Sequence, residues 1–188
     1  MLTISTFGQT GDEITVTAQE DSIIFTVNGE TSSISNKDMA AYYLTQGLEA
    51  AIAGDYAGAE SKFRVALLYD LENGEILYNL GLAQYYQEKF DDAIKTFDSA
   101  AQFDPENKNI YNQRGLCKAR KGLLNDAETD FKIMLKYDPN FAMGNYNYGI
   151  LKLQMGDSEM ACELLNKADS YGYESAPAII ATYCNNAE

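Results

Sequence analysis

Beginning near Ala40 and running to about Ser175, the chain repeats itself every 34 residues. Gln46-Gly47, Leu80-Gly81, Arg114-Gly115 and Tyr148-Gly149 fall one period apart. Twelve residues after each glycine stands an alanine (Ala59, Ala93, Ala127, Ala161), and four further on a large apolar residue (Phe63, Phe97, Phe131, Leu165). Asp104-Pro105 and Asp138-Pro139 close two of the units. A fixed period of this length marks a solenoid, in which each unit buries its apolar face only against its neighbours. Function is then sought in a binding surface before it is sought in a catalytic cleft.

Within one unit the pattern gives two helices. In Asp91–Phe103, Ala93, Phe97, Ala100 and Ala101 recur at three- and four-residue spacing, one stripe of an amphipathic helix. Gly81 and Ala93 are small where two antiparallel helices must approach closely, and Phe97 is the knob that fills the space beyond. Pro105 cannot continue a helix interior and restricts Asp104 before it, so the helix stops there. Asp91 and Asp92 in the first turn favour the helix dipole.

These residues resemble the tetratricopeptide repeat (TPR) family over roughly three quarters of the chain. The resemblance implies a mainly α fold: a TPR α-solenoid of four helix-turn-helix repeats at 40–73, 74–107, 108–141 and 142–175, with a capping helix at about 176–186. Unit 74–107 matches best, with Leu77, Leu80, Gly81, Ala93, Phe97, Ala100 and Pro105 in place. Unit 108–141 departs twice, with Arg114 for the usual leucine and Met134 for a small residue. Leu71 and Tyr173 stand where proline is usual, as befits end repeats.

Residues 1–37 belong to another class. Glu13–Thr17 and Ser22–Val27 are rich in β-branched and aromatic residues, and Asn28-Gly29 supplies a two-residue hairpin turn. Leu2–Phe7 and Glu30–Ser35 add outer strands to an antiparallel meander. So small a sheet needs another surface, and the expected one is the apolar flank of the first repeat. Its open edges could instead pair with a second copy, giving a possible homo-oligomer through residues 1–36. Asn36-Lys37-Asp38 reads as linker and helix start.

Composition argues against several functions. With a net charge of −14, the chain should repel nucleic acid and anionic membranes. There is no histidine, hence no imidazole base, no histidine-activated nucleophile and no His-ligated metal. No phosphate-cradling glycine motif appears. Asp91-Asp92 and Asp12-Glu13 read as solvated acids, so no catalytic residue, metal or cofactor is expected. No apolar run reaches membrane-spanning length, and the start of the sequence shows no secretory signal, which gives a cytoplasmic expectation with a removed leader as the alternative. Cys117, Cys162 and Cys184 read as buried free thiols; a bond between Cys162 and Cys184 is the alternative, since the last repeat and the C-terminal helix should pack together. The third unit alone is basic (Lys108, Arg114, Lys118, Arg120, Lys121, Lys132, Lys136), either as a solvated face or as a surface for an acidic segment of a partner or of another copy.

In TPR arrays the first helix of each unit lines the concave face, and the resemblance places a candidate peptide-binding groove on Thr45, Tyr78, Asn79, Tyr85, Tyr86, Asn112, Gln113, Arg120, Tyr146, Asn147 and Gln154. Amides offer donors and acceptors that match the backbone of an extended peptide, and tyrosines give rigid amphipathic contact area. Asn79, Gln113 and Asn147 recur once per repeat, similar to the asparagine ladder of long peptide-binding TPR superhelices. The clamp that other TPR proteins use for a C-terminal carboxylate would fall on Leu44, Leu48, Asn79, Asn109 and Gln113, of which only Asn79 fits. The expectation is a non-enzymatic scaffold or adaptor for a protein or peptide partner. The alternative is a self-associating subunit joined through the β edge or through charge-complementary repeats.

Overall fold

The computed structural model describes residues 2–7 and 13–184. It separates into two compact units, Met1–Ile76 and Leu77–Glu188. The first holds the β element and one helical pair. Strands β1 (Leu2–Phe7), β2 (Glu13–Ala18), β3 (Ser22–Val27) and β4 (Glu30–Ser35) form an antiparallel sheet in chain order. Asn28 and Gly29 take φ of 50° and 88°, the left-handed pair that a tight hairpin between β3 and β4 requires. The register sets Val16 opposite Phe25 and Ile23 opposite Ile34 on one face, with Thr15, Thr26 and Thr31 on the other. Threonine hydroxyls meet across the strands, Thr26 with Thr31 at 3.2 Å.

The sheet contacts the first helical pair through β4 against α1 (Asn36–Ile52). No linker intervenes, because Ser35, the last residue of β4, caps α1 by accepting from the Asp38 amide at 3.1 Å. Asn36 ties the corner back to the sheet, its side chain donating to the Glu20 carbonyl and its backbone N–H to that of Asp21. On the apolar face Val27 and Ile34 are 41% and 39% exposed. Helix α2 (Tyr56–Tyr69) packs antiparallel on α1, with Phe63 buried against Gly47.

From residue 74 onward the helices follow the period. They are α3 (Gly74–Tyr86), α4 (Phe90–Phe103), α5 (Lys108–Arg120), α6 (Leu124–Tyr137), α7 (Ala142–Gln154), α8 (Ser158–Ser170) and α9 (Ala176–Tyr183). Asn107 and Asp157 cap α5 and α8 through their side chains. In the second unit each first helix meets its partner through one ring or leucine set into a glycine. A Cβ on Gly81 would lie 2.6 Å from the Phe97 ring, one on Gly115 3.0 Å from the Phe131 ring, and one on Gly149 2.9 Å from Leu165. Phe97, Phe131 and Leu165 are fully buried.

The two departures in unit 108–141 have local compensations. Arg114 reaches Asp130 of α6 through two nitrogens, at 2.5 and 3.0 Å, and Asp98 of α4 at 2.6 Å. Lys118 adds a second cation, 2.7 Å from the buried Asp130. A carboxylate held by two cations through three side-chain nitrogens can replace the leucine contact. Met134 finds its room opposite Gly144, where a Cβ would meet its sulfur at 2.5 Å.

At the C-terminus the free-thiol expectation is overturned for two of the three cysteines. Helix α9 turns back onto α8 and brings Cys162 and Cys184 to a Cα separation of 5.5 Å, where they form a disulfide. Cys117 stays free and buried in α5, and burial pushes its thiol up to about 12.

Two outcomes follow. Gly81→Ala should destabilise the protein by more than Gly115→Ala in urea unfolding, because the Phe97 ring stands closer than the Phe131 ring; helix propensity offsets both by about 1 kcal/mol. Reduction should lower the stability of the α8–α9 end by up to about 3 kcal/mol. Hydrogen exchange with and without reductant should show faster exchange in α9 and unchanged rates in α5 and α6.

Candidate functional site

The first helices of the last three repeats, α3, α5 and α7, present the sequence-predicted residues of the second unit. Tyr85, Arg120, Tyr146, Asn147 and Gln154 come together around a cavity of about 280 Å³. Its apolar surface is made by Leu116, Ala119, Phe131, Ile150 and Leu151. Tyr146 packs against Tyr173, the two rings tilted by 37° with centroids 4.6 Å apart. The volume suits one large side chain, and the polar groups at its rim can hold a backbone on either side.

Beside it lies a second hollow of about 250 Å³, lined by Tyr85, Tyr86, Glu88, Phe90 and Arg120. Tyr85 sits edge-on to both neighbours, 5.5 Å from Tyr86 and 5.8 Å from Phe90. The Arg120 guanidinium lies over the Phe90 ring at 5.3 Å and meets Glu88 at 3.5 Å. Glu88 and Phe90 are absent from the sequence-predicted set. Glu88 lies in the turn between α3 and α4 and Phe90 opens α4, both outside the first-helix positions that line the groove. A signal was nevertheless present. Gly54, Gly122 and Gly156 stand one or two periods away, each with φ near +80°, and position 88 of the same series holds glutamate at φ 58°. A left-handed backbone costs a side-chain-bearing residue roughly 1–2 kcal/mol.

The amide ladder is partly engaged within the protein. Asn147 donates through its side-chain nitrogen to Asn112 Oδ1 at 3.0 Å. The Gln113 side chain bonds the Tyr78 hydroxyl, whose pKa burial pushes up, and Tyr78 packs 6.0 Å from Phe97. Asn79 is half-buried. Asn112 is a correction to the predicted groove: it is fully buried, so it touches no ligand and instead orients Asn147 from behind. Its own amide nitrogen has no partner within the protein. Thr45 lies in the other unit, where its hydroxyl donates to the Ala41 carbonyl. Among the clamp positions, no cation stands at Leu44, Leu48 or Asn109.

The basic face of the third repeat is neutralised inside the chain. Lys108 binds Asp138, Arg114 binds Asp98 and Asp130, Lys121 binds Asp91, and Lys132 binds Glu128. Its acidic complement is therefore α6 with its C-cap Asp138, together with Asp91 and Asp98 of α4, in the same molecule. Behind the cavity a second network joins α6, α7 and α8: Lys152 bridges Glu128 at 2.8 Å and Asp157 at 3.1 Å, and the Tyr148 hydroxyl donates to Glu128 at 2.9 Å. The Lys152 hydrogen bond, seconded by Lys132 and Tyr148, holds the Glu128 carboxyl at about 2, and Lys152 lowers Asp157 as well. Among the described residues no group of His, Cys, Asp or Glu could hold a metal ion, and no helix is long and apolar enough to cross a membrane.

Because the folded value of Glu128 lies below its usual 4.5, its stabilisation is complete above that pH and fades as pH falls toward 2. The melting temperature should therefore drop between about pH 4.5 and pH 2, and Glu128→Gln should flatten that part of the curve in a calorimetric pH series.

A family model described as tetratricopeptide repeat matches residues 44–108. Among solved structures the chain is similar to YrrB, described as a TPR protein with an unusual peptide-binding site, at 27% identity and a TM-score of 0.66 over 76% of this chain and 74% of that one. It shares its fold with MamA at 19% identity and a TM-score of 0.67, covering 73% of this chain and 81% of that one. The same holds for the first TPR of Spaghetti (RPAP3), solved with the HSP90 peptide SRMEEVD, at 18% identity and a TM-score of 0.62 over 64% and 95% of the two chains. No curated protein matches the chain in sequence.

Proposed function

We propose that the chain is a tetratricopeptide repeat protein that acts as a non-enzymatic scaffold or adaptor, holding an extended segment of a partner protein along α3, α5 and α7. The observation that carries this reading is the cavity of about 280 Å³ between tyrosines and amides, with an apolar surface and a hydrogen-bonding rim. One large partner side chain enters it. Asn147, set by Asn112, and Gln154 hold the adjacent backbone. YrrB and the Spaghetti domain are peptide-binding proteins of the same fold, which supports a peptide as the ligand class. The clamp positions hold no cation, so the ligand here is gripped along its length and not by a terminal carboxylate.

Self-association through charge-complementary repeats has less support, because the cations of the third repeat already bind acids of their own chain. The β element retains an exposed apolar face through Val27 and Ile34, so the homo-oligomer reading rests on residues 1–36 alone. The Cys162–Cys184 disulfide favours an oxidising compartment over the cytoplasm as the place where the protein works.

The test compares wild type with the Asn79/Gln113/Asn147 triple alanine variant in affinity capture from native lysate, read by mass spectrometry. A partner held by wild type and lost from a variant whose circular dichroism and melting temperature are unchanged is the expected result. Equal capture by both would exclude the groove.

A further inference from the structure

We propose that Tyr85, Tyr86, Phe90 and Glu88 form a cage for a lysine or arginine side chain of the bound peptide, and that Arg120 occupies this cage until the ligand displaces it. The inference rests on the groove reading above and names one of its specificity pockets. Three aromatic rings, with Tyr85 edge-on to Tyr86 and to Phe90, line a hollow of about 250 Å³ together with the Glu88 carboxylate. Ring faces and a carboxylate together attract a cation and disfavour an anion. The chain demonstrates the fit with a group of its own, since the Arg120 guanidinium already lies over Phe90 and against Glu88.

Two further observations separate this from an ordinary surface ion pair. Glu88 takes a left-handed backbone at a place in the repeat where Gly54, Gly122 and Gly156 avoid that strain, so the fold alone would be better served by glycine. The strain puts a carboxylate where the turn would otherwise have no side chain. The Arg120–Glu88 pair is also weak by construction: 3.5 Å long, with side chains 55% and 74% exposed. A second cation can therefore replace Arg120 at small cost, and the released guanidinium turns into water. Charge over residues 77–188 agrees, with sixteen carboxylates against eleven cations, and an approaching basic peptide is drawn toward this unit. The cage shares Tyr85 and Arg120 with the apolar cavity, so the expected recognition element is a basic residue close in sequence to a large apolar one.

The probes are three capped hexapeptides of serine and glycine around a central pair: Leu-Arg, Leu-citrulline or Leu-Glu. Each is titrated into the intact protein and followed by the NMR resonances of the tyrosine and phenylalanine rings and of the Asn and Gln side-chain amides. The Leu-Arg peptide should shift the rings of Tyr85, Tyr86 and Phe90, and citrulline should weaken binding about tenfold. Glu88→Gly should raise the melting temperature while abolishing the preference for arginine over citrulline. Arg120→Gln should tighten the Leu-Arg peptide, because the resident cation is gone. Preference for the Leu-Glu peptide, or weaker Leu-Arg binding in Arg120→Gln, would overturn the cage and make Arg120 the reader of an acidic ligand. Shifts at Asn147 and Gln154 without shifts in the three rings would also overturn it while leaving the groove reading intact. Silence at both sets of signals would reject cage and groove together.

Discussion

Each two-helix unit depends on a single close approach: a glycine in the first helix admits a phenylalanine or leucine from the second. Because Gly81, Gly115 and Gly149 lack a Cβ, the helix backbone comes within van der Waals distance of a ring or branched side chain that is otherwise fully enclosed. That approach sets the spacing within the pair. The spacing in turn decides which side of each first helix faces inward, and which remains for the surface that carries Tyr85, Arg120, Tyr146 and Asn147. The apolar cavity is a by-product of that packing, since its lining comes from helices alone.

Much of the architecture was readable because it is written three or four times over. The period alone locates α3 to α8, and the Asn28-Gly29 pair alone locates the hairpin. The site was readable in part. Helical spacing identifies the side of a helix that a ligand can reach, but not how far the neighbouring helix overlaps it. This is why Asn112 was grouped with Asn147, although one is enclosed and the other lines the cavity. Glu88 escaped because it lies in a turn, where side-chain direction depends on a backbone angle that spacing does not encode, and Phe90 because it opens a second helix, outside the first-helix positions. The Cys162–Cys184 bond needs the fold-back of α9, a tertiary fact that residue separation leaves open.

Polar groups in this protein divide into two kinds by what surrounds them. Asp130 is enclosed and held by Arg114 and Lys118, so it acts as part of the core. Glu88 and Arg120 are mostly in water, and their mutual attraction is screened. Removing Arg114 would leave the buried Asp130 to Lys118 alone, whereas removing Arg120 would leave an exposed carboxylate to be solvated. The first pair is structural for that reason, and only the second is free to exchange partners.

Repeated sequences carry a hazard that unique ones do not: during folding, a second helix can pair with the first helix of the wrong copy. The buried ions of unit 108–141 work against that error. If α6 docked on α3, Asp130 would face Leu80 instead of Arg114, and an enclosed carboxylate would be left without a cation. Met134 would likewise lack the gap that Gly144 provides. The places where this repeat strays from its neighbours thus act as an address label, making the correct pairing the only one in which every enclosed charge is answered.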